Sequence, residues 1–186
     1  MKRTILIFGL ISGGLMAAFM FVMLLFIDKI GFDKGEILGY TSMVLAFLLV
    51  FFGIRSYREN VGGGRISFGR AFAVGILIVV ISSVCYVVAW EIIYFNFMRD
   101  FADKYSAHMV EKVRSSGAGE QAIQAKIQEM KNMKALLENP FFNAAFTFLE
   151  PLPVGLIMTL ISALILRKRK GSGQSSPNVP ATQAAT

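Results

Sequence analysis

Four stretches of this chain stay apolar for long enough to cross a lipid bilayer as helices: residues 4–27, 37–54, 68–97 and 141–166. A hydrocarbon core about 30 Å thick needs about 20 helical residues at about 1.5 Å each, and runs of about 18 or more meet that demand. The runs are continuous rather than striped, so they predict spans and not amphipathic helices around a water-soluble core. A chain of 186 residues that is 55% hydrophobic has room for little else. The first run follows Lys2 and Arg3, as the apolar part of a secretory signal would. It outlasts the roughly 7 to 15 apolar residues of such a signal and ends in "LLFIDKIGF", which is no small-residue cleavage site. It reads as an uncleaved span.

The joining segments set the orientation. Lys2 and Arg3, then Arg55, Arg58, Arg65 and Arg70, then Arg167, Lys168, Arg169 and Lys170 all fall on one side of a four-span chain. The first connection holds only Lys29 and Lys34, offset by Asp28, Asp33 and Glu36. Excess Lys and Arg marks the cytoplasmic side, so both termini are expected there. The net charge of +7 follows from this placement. No aromatic–basic surface accompanies it, which excludes nucleic acid and leaves the bilayer, with its anionic lipid headgroups, as the expected partner.

Residues 98–140 have another texture. Met98, Phe101, Tyr105, Met109 and Val113 recur at helical spacing, as do Ile123, Ile127, Met130, Met133 and Leu137. "SSGAG" at 115–119 is a turn signal, and Asn139-Pro140 ends the second helix. The pattern predicts an external hairpin of two amphipathic helices between the third and fourth spans. Seven basic and six acidic residues leave it nearly neutral. Without the basic face of a lipid-surface helix, the two stripes are expected to face each other. The tail at 171–186 is small, polar and proline-containing, a composition that predicts disorder.

Polar chemistry inside the spans is sparse. By helix rise, Glu150 lies about 25 Å from Arg167 and Glu91 about 31 Å from Arg70, which places both carboxylates in the outer leaflet. An ionisable residue at that depth defaults to a functional hypothesis, here a proton or cation site. The plainer reading is a headgroup-level carboxylate that is solvated or paired with a cation such as Arg99 or Lys104. Pro151 and Pro153 lack N–H donors and free carbonyls near residues 147 and 149, so "EPLP" predicts a kink turned to the bundle interior. Glu91, Glu150, Pro151 and Pro153 are the candidate polar site. Gly9, Gly13 and Ala17 form a stripe of small residues that suits a close internal neighbour better than a second copy.

Several other features carry no chemistry. Gly62 to Gly64 resemble a phosphate cradle, but no Lys-Ser/Thr follows and no strand precedes them. That loop reads as a flexible turn with Ser67 as a helix cap. Met16, Met20 and Met23 are apolar filler. Cys85 is the single cysteine and His108 the single histidine, so no disulfide, His-pair metal site or nucleophile–base pair can be assembled from them. No cofactor is expected, and the chain reads as non-enzymatic.

"GIRSYRENVGGGRISFGRAF" and "NPFFNAAFTFLEPLPVGLIMTLISALIL" resemble the bacterial membrane family called domain of unknown function 4199. The resemblance covers residues 4–169 and is most specific from Arg55 to Phe72. It implies a multi-span bacterial inner-membrane protein and no activity. The sequence therefore predicts an all-α membrane protein, with residues 1–170 forming the membrane domain. It would assemble with itself or a membrane partner, or serve as a small transport or ion-coupled component using Glu150 and Glu91.

Overall fold

The backbone groups of long apolar segments have no partner but one another, and helices are the outcome. The computed structural model describes residues 2–168, save for the side chains of Ile27 and Asp28; Arg169, Lys170 and the tail at 171–186 lie outside the described residues. The elements are α1 (Lys2–Ile30), α2 (Phe32–Asn60), α3 (Phe68–Phe97), α4 (Phe101–Ser115), α5 (Glu120–Leu137), α6 (Pro140–Leu149) and α7 (Pro151–Leu166). Among the described residues there is no strand, only an isolated antiparallel bridge between Ile66 and Lys168. α1, α2, α3 and the α6–α7 pair are each long and apolar enough to cross a membrane.

The helices outrun the apolar runs. α1 continues to Ile30 and α2 starts at Phe32, which leaves Gly31 alone at the turn with φ 75°. An L side chain resists that conformation, so the reversal falls on glycine. The apolar run marks only where charged residues are absent, whereas Lys29, Asp33, Lys34 and Glu36 tolerate helix and extend it past that limit. The fourth run is interrupted instead. The helix gives way at Glu150, between Leu149 and Pro151, although Glu150 keeps helical angles of φ −60° and ψ −50°. Two missing N–H groups break the hydrogen-bond ladder there.

α3 sits at the centre against α1, α2 and α7. Small residues let the backbones approach. A Cβ added at Gly13 would stand 2.5 Å from Cys85 Cβ, and one at Gly9 would stand 2.8 Å from Ile81 Cβ. Gly155 meets Val79 and Gly75 meets Thr159 in the same way on the other side of α3. The predicted small-residue stripe is thus spent within the bundle at Gly9 and Gly13, with Ala17 half-buried. Buried hydroxyls tie the helices further. Ser82 Oγ lies 3.1 Å from Gly9 O and 2.9 Å from Ile78 O, and Ser12 Oγ donates to Ala46 O at 3.0 Å. Phe47, Val50, Ile54, Val74 and Ile78 fill the middle with at most 1% exposure.

At one end of the bundle the 61–67 loop clasps the end of α7. Lys168 N donates to Ile66 O at 3.0 Å, and Arg58 Nη1 donates to Leu166 O at 3.4 Å. Ser67 Oγ accepts from Arg70 N and caps α3. Arg55 and Arg58 share Glu59. The basic residues at 55–70 and 167–168 therefore lie together, beside the N-terminus of α1.

α4 and α5 flank a turn in which Gly117 has φ 76°. They lie side by side, and Lys134 near the end of α5 meets Asp103 near the start of α4. α5 buries Ile123 and Met130. The stripe on α4 is split. Met98 ends up as the cap of α3, and Phe101 and Tyr105 turn to Phe32 of α2, with ring centroids 5.8 Å and 5.7 Å away. The apolar face of α4 is wide enough to serve α2 as well as α5.

Candidate functional site

A cavity of about 590 Å³ opens at the end of the bundle away from the arginines of 55–70. It lies where α1, α2, α3 and α6 diverge and where α4 and α5 cover them. Its size falls within the range of small-molecule sites, about 300 to 1,000 Å³. Each wall has its own chemistry. α1 contributes Met16, Met20 and Met23; α2 contributes Glu36 and Tyr40 above Met43. Gly39 leaves a gap in the α2 wall, since a Cβ there would meet nothing within 4 Å. α3 contributes Tyr86 and Trp90, α4 contributes Phe101 and Tyr105, and the end of α6 contributes Phe146 and Glu150.

Glu150 occupies the break between α6 and α7 and is exposed to this space. Tyr86 Oη donates to its Oε2 at 3.0 Å. Arg99 Nε turns to Phe95 O, and Lys104 pairs with Asp100. Pro151 is fully buried behind the carboxylate, whereas Pro153 faces outward. Glu91 is not part of the site. It lies on α3 away from the cavity lining, with Oε1 buried and without a hydrogen-bond partner. The second carboxylate of the cavity is Glu36, which the sequence reading treated only as a charge offsetting Lys29 and Lys34.

The wall is held by a buried hub on α6. Asn143 is 0% exposed. Its Oδ1 accepts from Trp90 Nε1 at 2.8 Å and from Thr147 Oγ1 at 3.3 Å, and its Nδ2 donates to Leu137 O at 2.9 Å. Four residues earlier, one turn back, Asn139 caps α6 by accepting from Phe141 N at 3.0 Å. Asn143 thus fixes Trp90 against α6 and the end of α5. An amide side chain in the middle of "PFFNAAF" is the sequence signal for it. Trp90 passes its ring on to Phe101 at 5.2 Å, in edge-to-face contact, and Phe101 reaches Phe32.

Charge pairs fasten the cover. Lys112 Nζ donates to Asp33 Oδ1 at 2.7 Å, and His108 Nε2 lies 3.4 Å from the same oxygen. Donation to Asp33 holds the Lys112 ammonium above the ordinary value of 10.5, and donation to Asp103 does the same for Lys134. Asp100 is held below its ordinary range by the hydrogen bond from Lys104. Among the described residues no group of three His, Cys, Asp or Glu side chains could hold a metal ion.

With this geometry in place, comparison with known proteins is brief. The family described as "Protein of unknown function (DUF4199)" matches residues 7–168. The chain belongs to that family. The match to DUF4199 takes in α1 from Ile7, the other long helices, the two covering helices, and every described residue of the cavity wall. No curated protein and no solved structure matches the chain. The DUF4199 description names no activity, so the cavity has to speak for itself.

Proposed function

We propose that this DUF4199 protein is a four-span integral protein of the bacterial inner membrane, with both termini in the cytoplasm, that binds a hydrophobic small molecule at the level of the outer leaflet. The role is non-enzymatic: the protein is a ligand-binding or transport component. The carrying observation is the cavity itself, walled by methionines and aromatics and edged by Glu36 and Glu150. Supporting the membrane reading, Leu25, Ile37, Phe141 and Ile165 are 66–77% exposed, a surface that hydrocarbon covers at no cost. Supporting the orientation, the arginine-rich end holds the N-terminus of α1 and the end of α7. The α4–α5 hairpin then lies outside.

Assembly through the hairpin is the second reading. It is favoured by the polar outer face of α5, where Gln121, Gln124, Gln128 and Lys131 are exposed and open to a partner domain. The two readings separate in one experiment. The protein is extracted in polymer-bounded native lipid discs and compared with Gly39→Phe, which places a ring in the cavity from a position where a Cβ meets nothing within 4 Å. A small molecule that co-purifies with the parent and is absent from the variant supports the cavity. Identical small-molecule content in both would overturn it.

A further inference from the structure

The charge inside the cavity points to one class of ligand. Among the described residues Glu36 and Glu150 are the only charged ones in the lining, and no Lys, Arg or His is part of it. Among the described residues no salt bridge reaches either carboxylate, and Glu150 Oε2 accepts from Tyr86 Oη at 3.0 Å. Cations are not scarce nearby. Lys112 and Lys134 lie in the covering helices, yet they are turned to Asp33 and Asp103 on the outer surface. A cavity that presents two carboxylates and no side-chain cation among the described residues is complementary to a positive guest.

The rest of the wall suits the same guest. Tyr40, Tyr86, Trp90, Phe101 and Tyr105 line the same cavity, and Tyr86 Oη donates to Glu150. Aromatic faces attract ammonium groups and are most effective where water is thin. The methionines of α1 and Met43 continue the wall with soft surface that adapts to an apolar chain. A bare metal ion would need converging oxygen ligands at close range, which this wall does not assemble. An anionic lipid or fatty acid would meet two carboxylates and no cation.

We propose that the cavity binds amphiphilic organic cations: an amine or quaternary ammonium head between Glu36 and Glu150 within the aromatic wall, and an apolar body against Met16, Met20 and Met43. This assignment rests on the cavity being a ligand site and adds the charge and shape of what it takes.

Trp90 is the only tryptophan of the chain and lines the cavity, so its emission reports on occupancy without a label. The full-length protein in phosphatidylcholine nanodiscs is titrated with dodecyltrimethylammonium, with dodecyl sulfate, and with dodecyl maltoside, which share one chain and differ in charge. The expected result is a saturable change with the cation alone, weakened about tenfold or more in Glu36→Gln and Glu150→Gln and abolished in the double variant. Glu129→Gln on the outer face of α5 should leave the curve unchanged. If all three amphiphiles bind alike and the double variant behaves as the parent, charge selection is wrong while the cavity remains a ligand site. If none gives a saturable change, both readings fail. Tryptophan emission and thermal unfolding of each variant before titration separate loss of binding from loss of fold.

Discussion

Trp90 Nε1 donates to Asn143 Oδ1 at 2.8 Å, and this bond joins the cavity wall to the structure behind it. Asn143 is 0% exposed and also supports Leu137 O at the end of α5 and Thr147 one turn on. Three segments therefore depend on one amide. Asn143→Ala leaves the indole N–H and the Leu137 carbonyl unpaired, each costing about 1–3 kcal/mol where it stays dry. The expected outcome is a lower thermal midpoint together with a shift of Trp90 emission. Unfolding at the parental temperature with unchanged emission would show that the hub does not hold.

The glycines of α1 make a paired test of helix approach. Gly13 faces Cys85 across the α1–α3 interface, whereas an added Cβ at its neighbour Gly14 meets nothing within 4 Å. Gly13→Leu forces α1 and α3 apart and should destabilise the bundle by about 1–3 kcal/mol, the usual cost of overfilling a fitted interface. Gly14→Ala should be neutral or gain up to about 1 kcal/mol from helix propensity. Thermal unfolding of the two variants in the same lipid discs checks the contrast, and equal midpoints would contradict the interface.

Much of this arrangement can be read from the sequence, and the limits of that reading have physical causes. The four long helices follow from apolar runs long enough to cross a membrane, for which helix is the main backbone solution. Ser67 as a cap and the break beside Pro151 follow from local donor chemistry. Helix ends do not, since Asp33, Lys34 and Glu36 are as compatible with a helix as with a loop. The site was only half legible. Glu150 stands out as a carboxylate in an apolar run, but Glu91 stands out equally and faces elsewhere. Which carboxylates share a cavity depends on the rotation of α2 and α3 about their axes. A continuously apolar helix gives no stripe from which to read that rotation, so Glu36 and Tyr86 could not be paired with Glu150 in advance.

The orientation is open to a direct check. With Cys85 replaced by alanine, single cysteines are placed at Ser116, in the α4–α5 turn, and at Ser172. An impermeant thiol reagent applied to intact cells should label the first and spare the second. Label on Ser172 would reverse the topology and place the cavity on the cytoplasmic side.

The covering helices should loosen at alkaline pH. Lys112 and Lys134 have folded-state values raised above 10.5 by donation to Asp33 and Asp103. A raised lysine contributes stability that is fully present below the unfolded value and is lost as pH rises through the folded one. Both ties therefore hold at neutral pH and fade above about 10.5. The pairs are exposed, so each contribution is small and is screened by salt. Cleavage near Gly117 by an alkaline-tolerant protease should accelerate across that range, and Lys112→Gln with Lys134→Gln should already show the faster rate at neutral pH. Burial of Met130 at 4% exposure and the Phe32 contacts with Phe101 and Tyr105 remain after the charges are gone. The alkaline protein should accordingly retain a docked hairpin, and Met130→Asp in the parent should open it far more than either lysine variant. If the lysine variants match Met130→Asp in cleavage rate, the charge pairs rather than the apolar contacts hold the cover in place.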